Sequence, residues 1–214
     1  MITEHLQNTF KSLISEYCTV MHIFNMYDTG HLNILDEEES LKVVAERTKY
    51  SVHIGKQNIQ RNMIEIVQNI FSDTSLPVEI NKIIKGEQSN VINKTNVANA
   101  VSIIKILLNY RDEYVNFLPI LYKSMEKIGN LSFEVFVRLA QYHAFSDGNK
   151  RTAFIYAMYI AYVLNNEKIR IDQNKQEHIA KMILLYYEKK SSNDKKEIEL
   201  AYDNMKALWI SCFI

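Results

Sequence analysis

The chain has 214 residues, 47% of them hydrophobic, and its 25 Lys and Arg residues equal its 25 Asp and Glu residues in number. This length and apolar fraction are enough for one domain with a substantial core. Because the formal net charge is zero, no overall field attracts nucleic acid or an acidic membrane surface. We therefore expect neither nucleic acid nor a membrane as a partner, and the sequence leaves the oligomeric state open.

The cysteines and the apolar segments bear on location. Cys18 and Cys212 are too few for a disulfide framework or a zinc site, and they suit a reducing compartment. The first eight residues lack the basic-then-apolar order of a signal peptide, and the longest apolar run, residues 153–164, is too short to span a bilayer. These features predict a soluble, cytoplasmic protein and are compatible with secretion into a host by a dedicated system.

Helical spacing is the main pattern at the start of the chain. The whole chain has only five Gly and two Pro residues, which are the residues that mark turns between strands. In residues 3–27 apolar side chains recur every three or four positions, which predicts an amphipathic helix ending at residues 28–30. Asp36 is the predicted N-cap of a second helix, because three glutamates follow it in the first turn. Residues 53–71 predict a third helix.

Residues 78–92 differ from this helical pattern. They follow a predicted loop at residues 72–77 and mix β-branched residues around Gly86, so they predict either a short β-hairpin or an irregular surface loop. Beyond them the pattern is helical again. Helices are predicted at residues 95–110, 119–129, 132–143, 152–164, 176–190 and 195–209, with an extended connector at residues 167–172.

Two of these helices flank an unusual polar stretch. The first should begin at Ser132 as N-cap, with Leu131 placed to pack on Phe136. The second, residues 152–164, is apolar almost all round, as expected of a central helix surrounded by others. The nine residues from 143 to 151, His-Ala-Phe-Ser-Asp-Gly-Asn-Lys-Arg, therefore form a loop that joins two core helices.

The end of this loop has the chemistry of an anion-binding site. The first N–H groups of the second helix fall at about residues 148–151, where the helix dipole adds partial positive charge. Gly148 lets a bulky phosphate approach these amides closely. Lys150 and Arg151 add full positive charges, and the guanidinium can bind two oxygens at once.

Two further residues supply a metal ligand and a base. Asp147 offers hard oxygens that suit Mg²⁺ held jointly with phosphate oxygens. His143 is the side chain of this loop that can accept a proton near neutral pH. Together these groups predict attack of a hydroxyl on a nucleotide phosphate. Taken singly, they also fit a plain turn with an N-cap, a structural histidine and an aromatic anchor at Phe145.

The loop resembles the signature of the Fic/Doc (Fido) family, H-x-F-x-[DE]-[GA]-N-[GK]-R. The resemblance implies an all-α, Fic-like helical bundle with the active-site loop between two core helices, and a small β-hairpin flap that holds the target segment, for which residues 78–92 are the candidate. It also implies that His143 deprotonates the target hydroxyl and that Asp147 binds Mg²⁺. The phosphates of the co-substrate ATP would then be surrounded by Gly148, Asn149, Lys150 and Arg151.

The same resemblance leaves three activities open. Most characterised members transfer AMP from ATP to a Ser, Thr or Tyr hydroxyl of a protein, which makes this the first expectation. Lys150 stands where such members usually have Gly, and Phe154 stands where they have a second Arg. Both departures resemble the Doc branch, whose members transfer the γ-phosphate as protein kinases, whereas Gly148 resembles the Fic branch. The third alternative is a catalytically inactive Fido domain that serves as a binding module.

Regulation is predicted from a second family pattern. Many Fic proteins carry an inhibitory helix, [ST]-x-x-x-E-[GN], whose Glu pairs with the second motif Arg. The nearest segments, residues 12–17 and 75–80, do not end in Gly or Asn, and Phe154 would leave Glu16 without that partner. We therefore expect one protein partner to be a substrate that bears a Ser, Thr or Tyr hydroxyl. For inhibition two alternatives remain, namely a separate antitoxin or no inhibitor.

The domain organisation is predicted as one helical domain over residues 1–214. It would consist of an N-terminal helical extension (1–75), the Fic core (76–190) and a C-terminal helix (191–214). The resemblance is specific over residues 131–165, and it names neither the target protein nor the preferred nucleotide.

Overall fold

The computed structural model of the chain describes residues 3–49, 73–89, 125–164, 171–192 and 194–213. Regular secondary structure within these ranges is helical, which confirms the predicted all-α fold. The α-helices are α1 (Glu4–Glu16), α2 (Cys18–Asp28), α3 (Glu38–Lys49), α4 (Ser75–Lys85), α5 (Met125–Gln141), α6 (Asn149–Leu164), α7 (Gln173–Ser192) and α8 (Lys195–Ser211). Short 3-10 turns, Ile34–Glu37 and Gly86–Gln88, precede α3 and follow α4.

The chain forms two compact units. One comprises residues 1–16 and 56–169 and contains α1, α4, α5 and α6. The other comprises residues 17–55 and 170–214 and contains α2, α3, α7 and α8. The polar loop at residues 143–151 belongs to the first unit, whereas the sequence-based limits at 75/76 and 190/191 remain a prediction.

Helix α6 is the core of the first unit. Every residue from Arg151 to Ala161 is buried, as the apolar pattern of this helix predicts. Its partners pack through aromatic edges: Phe154 contacts Phe136 of α5 at 6.5 Å between ring centroids, and Tyr159 contacts Phe10 of α1 at 5.0 Å. The helix has 16 residues, and none of the described helices is long and apolar enough to cross a membrane.

The second unit is organised around α7, which packs against α2, α3 and α8. Lys189 of α7 pairs with Glu38 of α3 at 2.9 Å and with Glu197 of α8 at 3.2 Å. Helix α8 begins at a well-formed cap, because the Asp194 carboxylate accepts hydrogen bonds from two first-turn N–H groups. Helices α7 and α8 confirm the predictions for residues 176–190 and 195–209.

The predicted β-hairpin flap at residues 78–92 is wrong over the residues that the structure describes. Residues 75–85 form α4 instead, because Leu76 and Ile80 are buried on one helical face. Pro77 lies in the first turn, where a proline is tolerated, and Gly86, with φ 59°, ends the helix. The same helix contains residues 75–77 of the predicted loop at 72–77.

The predicted start of the helix before the polar loop is also wrong. Helix α5 runs without interruption from Met125 to Gln141, so it passes through the predicted stop at residues 129–130. Ser132 is therefore inside the helix rather than at its N-cap. Its hydroxyl donates to the carbonyl of Gly129 at 3.0 Å, one turn back.

Smaller corrections concern the first 50 residues. The predicted helix over 3–27 is two helices, because the backbone leaves the helical conformation at Tyr17, with φ −97° and ψ 29°. Asp36 is not an N-cap, since the preceding 3-10 turn is capped by Asn33, whose side chain accepts from the N–H of Leu35. The predicted helices at 53–71 and 95–110, the start of the predicted helix at 119 and most of the connector at 167–172 lie outside the described residues.

Candidate active site

The polar loop between α5 and α6 is pinned to the core by Phe145. This ring is 2% exposed and lies with Ala144 in a small apolar cluster against Val78 of α4. The anchoring role that the sequence suggests for Phe145 is therefore confirmed. Burying one aromatic side chain in a loop of polar residues fixes the path of the backbone on both sides of it.

Asn149 closes the loop from its other end. Its side-chain oxygen accepts from the N–H of Phe145 at 3.0 Å, and its side-chain nitrogen donates to the carbonyl of the same residue at 2.7 Å. Both backbone polar groups of the buried anchor are thus satisfied by one amide side chain. The role of Asn149 in the structure is to hold the loop against the first turn of α6.

Gly148 is the turn residue before α6. Its backbone φ of 75° is rarely adopted by residues that have a side chain. A Cβ atom at this position would also lie 3.2 Å from the side-chain amide nitrogen of Asn81. The carbonyl of Gly148 accepts the first hydrogen bond of the helical ladder, from Thr152 at 2.8 Å. The amides of residues 149–151 precede that ladder, and they lie where the helix dipole concentrates positive potential.

Asp147 lies between cations from two helices. One carboxylate oxygen binds the ammonium group of Lys85 from α4, and the other accepts from the guanidinium of Arg151 at 3.0 Å and from the N–H of Gly148. The Asp147 side chain keeps 44% of its surface exposed, whereas those of Lys85 and Arg151 keep 15% and 8%. The carboxylate is therefore reachable from solvent while its partners are largely covered.

These contacts set the protonation state of Asp147. Burial by itself would raise the pKa of its carboxyl group, but the Lys85 hydrogen bond, the Gly148 N–H and the charge of Arg151 outweigh burial and hold the pKa below its ordinary value. The carboxylate is ionised at neutral pH. It can act as a hard anionic ligand or as an ion-pair partner, but not as a proton donor.

The structure adds two residues to the site that sequence analysis missed, Asn81 and Lys85. Asn81 is fully buried, and its amide nitrogen donates to the carbonyl of Asp147 at 3.0 Å and to the hydroxyl of Thr152 at 2.9 Å. Its oxygen accepts from the hydroxyl of Ser89 at 2.7 Å. The helical spacing of Asn81 and Lys85, four residues apart after Pro77, is the signal that could have placed both on one face of a helix.

His143 opens the loop on its solvent side. Its side chain is exposed, so an incoming hydroxyl can reach the ring. Its backbone has φ 43°, which is uncommon for a residue with a side chain and is found mostly where the surrounding structure imposes it, active sites among them. Lys150, half-buried in the first turn of α6, lies beyond Asp147 along the same loop.

Position 154 and Glu79, which belongs to the candidate inhibitory segment 75–80, contribute to helix packing. Phe154 is fully buried against Phe136, so the position where the family resemblance implies a second Arg belongs to the core. Glu79 of α4 accepts from Gln7 of α1 at 2.8 Å and pairs with Lys82 at 3.7 Å. Its carboxylate therefore serves the packing of α1 on α4.

The donor set fits one carboxylate ligand for Mg²⁺. No group of three or more His, Cys, Asp or Glu side chains with metal-binding geometry occurs among the residues that the structure describes. Mg²⁺ commonly uses one or two carboxylates together with substrate phosphates, and Asp147 would supply one. A carboxylate has about four acceptor positions, of which Lys85, Arg151 and Gly148 use three.

Comparison with known protein families gives a match. The sequence model of the Fic/DOC family matches residues 58–161, a range that includes α4, the polar loop and most of α6. No curated protein and no solved structure matches the chain. The matched range thus contains all the described site residues, from Asn81 to Thr152.

We expect Asn81→Ala to destabilise the protein by about 1–3 kcal/mol, because it leaves the part-buried Asp147 carbonyl and the buried Thr152 hydroxyl without their donor. Urea denaturation measures this change. Lys82→Ala, on the same helix but 59% exposed, is the matched control and should stay within about 0.5 kcal/mol of the parent. Equal losses for the two variants would contradict the assignment.

The stability that Asp147 contributes should depend on pH. Because its folded-state pKa is depressed, the contribution is complete above the unfolded-state value of about 4 and is lost as the pH falls through the lower folded-state value. The difference in unfolding free energy between the parent and Asp147→Asn should therefore shrink below about pH 4. Urea titrations from about pH 3 to pH 7 measure it, with Asp203→Asn, an exposed carboxylate of α8, as control. If the difference in unfolding free energy stays constant between about pH 3 and pH 7, the depressed pKa of Asp147 is refuted.

Proposed function

This chain belongs to the Fic/DOC family, and from that premise we propose that it is a protein adenylyltransferase, which transfers AMP from ATP to a Ser, Thr or Tyr hydroxyl of a target protein. Members of the family are typically transferases. The observation that carries the proposal is the joint placement of an ionised carboxylate, a buried guanidinium and the N-terminal end of α6, in a loop that begins with an exposed histidine.

His143 supplies the base in this reaction. A ring nitrogen takes the proton of the target hydroxyl while the hydroxyl oxygen forms a bond to the α-phosphorus. The bond from that phosphorus to the bridging oxygen breaks, and pyrophosphate leaves with the electron pair. His143 suits this role because its side chain is solvent-accessible.

The first turn of α6 binds the phosphates. The amides of residues 149–151 and the dipole of α6 supply partial positive charge, and Gly148, Asn149, Lys150 and Arg151 surround the anion. Arg151 is held in place by its 3.0 Å contact with Asp147. Asp147 would hold Mg²⁺, and the bound ion would supply positive charge that stabilises the charge developing on the phosphates. ATP and Mg²⁺ are thus the proposed co-substrate and metal.

Kinase activity of the Doc type is the second candidate, and a specific observation favours it. Phe154 is in the core, and Lys150 replaces the glycine usual in AMP-transferring members, so the cations around the triphosphate differ from those of that branch. A reversed triphosphate would place the γ-phosphorus next to the hydroxyl. An inactive binding module is the third candidate, because Asp147 already has two cationic partners.

The expected partners follow from the proposed reaction. A protein segment that presents a hydroxyl to His143 is the substrate. With Glu79 engaged by Gln7 and Lys82, inhibition by that carboxylate within the chain is disfavoured. A separate antitoxin is the proposed alternative to having no inhibitor.

Mass spectrometry of proteins from a lysate incubated with the purified protein, ATP and Mg²⁺ should show an added AMP. An added phosphate would identify the kinase, and no change would support the binding module.

His143→Ala should reduce modification by about 100-fold or more, because general base catalysis is lost. His5→Ala, exposed on α1, is the control. Full activity of His143→Ala would contradict the assignment of His143 as the general base. Full activity of Asp147→Ala in Mg²⁺ would contradict the assignment of Asp147 as the metal ligand.

A further inference from the structure

Lys85 is a cation that reaches the candidate site from outside the loop motif. Its side chain is 15% exposed, although lysine side chains are among the most exposed in proteins. The stem runs along Gly148, where its Cγ and Cδ atoms lie 3.5 Å from the position that a Cβ would occupy. The ammonium group then meets the Asp147 carboxylate. The fold thus directs a long cationic side chain of α4 into the turn before α6.

The neighbouring lysine of α4 shows that this placement is specific. Lys82, three residues earlier, is 59% exposed and lies 3.7 Å from Glu79, as expected of a weak surface ion pair. Lys85 has the same length and flexibility but a covered stem and a partner in the loop motif. The difference lies in the face of α4 that each residue occupies, because Lys85 follows the buried Asn81 by one turn.

The two cations that contact Asp147 differ in mobility. Lys85 and Arg151 bind the same carboxylate from two different helices. Arg151 is on α6 itself and 8% exposed, so its guanidinium is fixed in place. The lysine ammonium is a compact charge on a flexible stem. Of the two cations, Lys85 is the one that can change its partner with little change in the backbone.

We propose that Lys85 is a further phosphate-binding residue of this site. When a triphosphate occupies the first turn of α6, the Lys85 ammonium moves from Asp147 to a phosphate oxygen, and the carboxylate becomes available to the metal. Lys85 thereby adds, from α4, a cation that position 154 does not supply, because Phe154 is in the core. This inference rests on the proposed function for the identity of the site, and it extends that function to a residue outside the motif.

Isothermal titration of the full chain with sodium tripolyphosphate in EDTA tests the inference without a nucleotide base, a metal or a target protein. Lys85→Met should weaken binding by about tenfold or more, because a charge-assisted hydrogen bond is lost. Lys85→Arg, which keeps a long cationic side chain at the same position, should recover most of the affinity. Lys82→Met should leave it within about twofold of the parent. Thermal unfolding of each variant shows whether it remains folded.

A second titration separates the proposed role from that of a simple counter-ion. If Lys85 only neutralises Asp147, Lys85→Met should bind Mn²⁺ more tightly, as read by electron paramagnetic resonance, with unchanged affinity for tripolyphosphate. That result overturns the inference, as does a parent protein that does not bind tripolyphosphate. If tripolyphosphate binding depends on Lys85 but no AMP or phosphate transfer occurs, the proposed function fails and the phosphate-binding role of Lys85 stands.

Discussion

The contact between α4 and the turn at Asp147 is the interaction on which the candidate site depends. Asn81 binds the backbone carbonyl of Asp147 and the hydroxyl of Thr152, and Lys85 binds the Asp147 carboxylate. These bonds join two segments more than 60 residues apart. Leaving the buried Asn81 amide without its partners would cost free energy, so the turn has one favourable position relative to α4. This position also fixes where the charged groups of the turn lie.

The other constraints on the loop act within it and support the same geometry. Phe145 fixes the loop in the apolar core, and Asn149 binds both backbone polar groups of Phe145. Gly148 permits the backbone to turn at φ 75°. A Cβ at this position would approach the Asn81 amide within 3.2 Å, so the glycine serves the packing of α4 as well as the turn. His143, at the start of the loop, is left on the solvent side.

Sequence reasoning succeeded where a local pattern and the tertiary structure agree. Helix α6 is apolar on every side and is the buried centre of its unit, and Phe145 is an apolar residue among polar ones and is the anchor. The motif also located the loop between two helices. These features depend on hydrophobic burial, which the order of residue types records directly.

Sequence reasoning failed where burial against a distant segment of the chain decided the secondary structure. The β-branched residues around Gly86 predict a hairpin locally, yet Leu76 and Ile80 are buried as one face of a helix, which packs against α6. Ser132 has the side chain of an N-cap but lies in a turn whose neighbours Ile128 and Phe133 are buried. With α4 taken for a hairpin, neither Asn81 nor Lys85 could be placed near Asp147, so the electrostatics of the site could not be derived.

In the proposed reaction, the distribution of cations bears on which phosphorus of the triphosphate is attacked. Position 154, one turn into α6, is occupied by a ring packed on Phe136, so positive charge in the described site comes from the first turn of α6 and from α4. In the proposed reaction these groups would bind the triphosphate. His143 is at the start of the loop, and the hydroxyl that it activates would attack the nearest phosphorus. On this proposal, AMP transfer and phosphate transfer would differ in the direction in which the triphosphate crosses the end of α6.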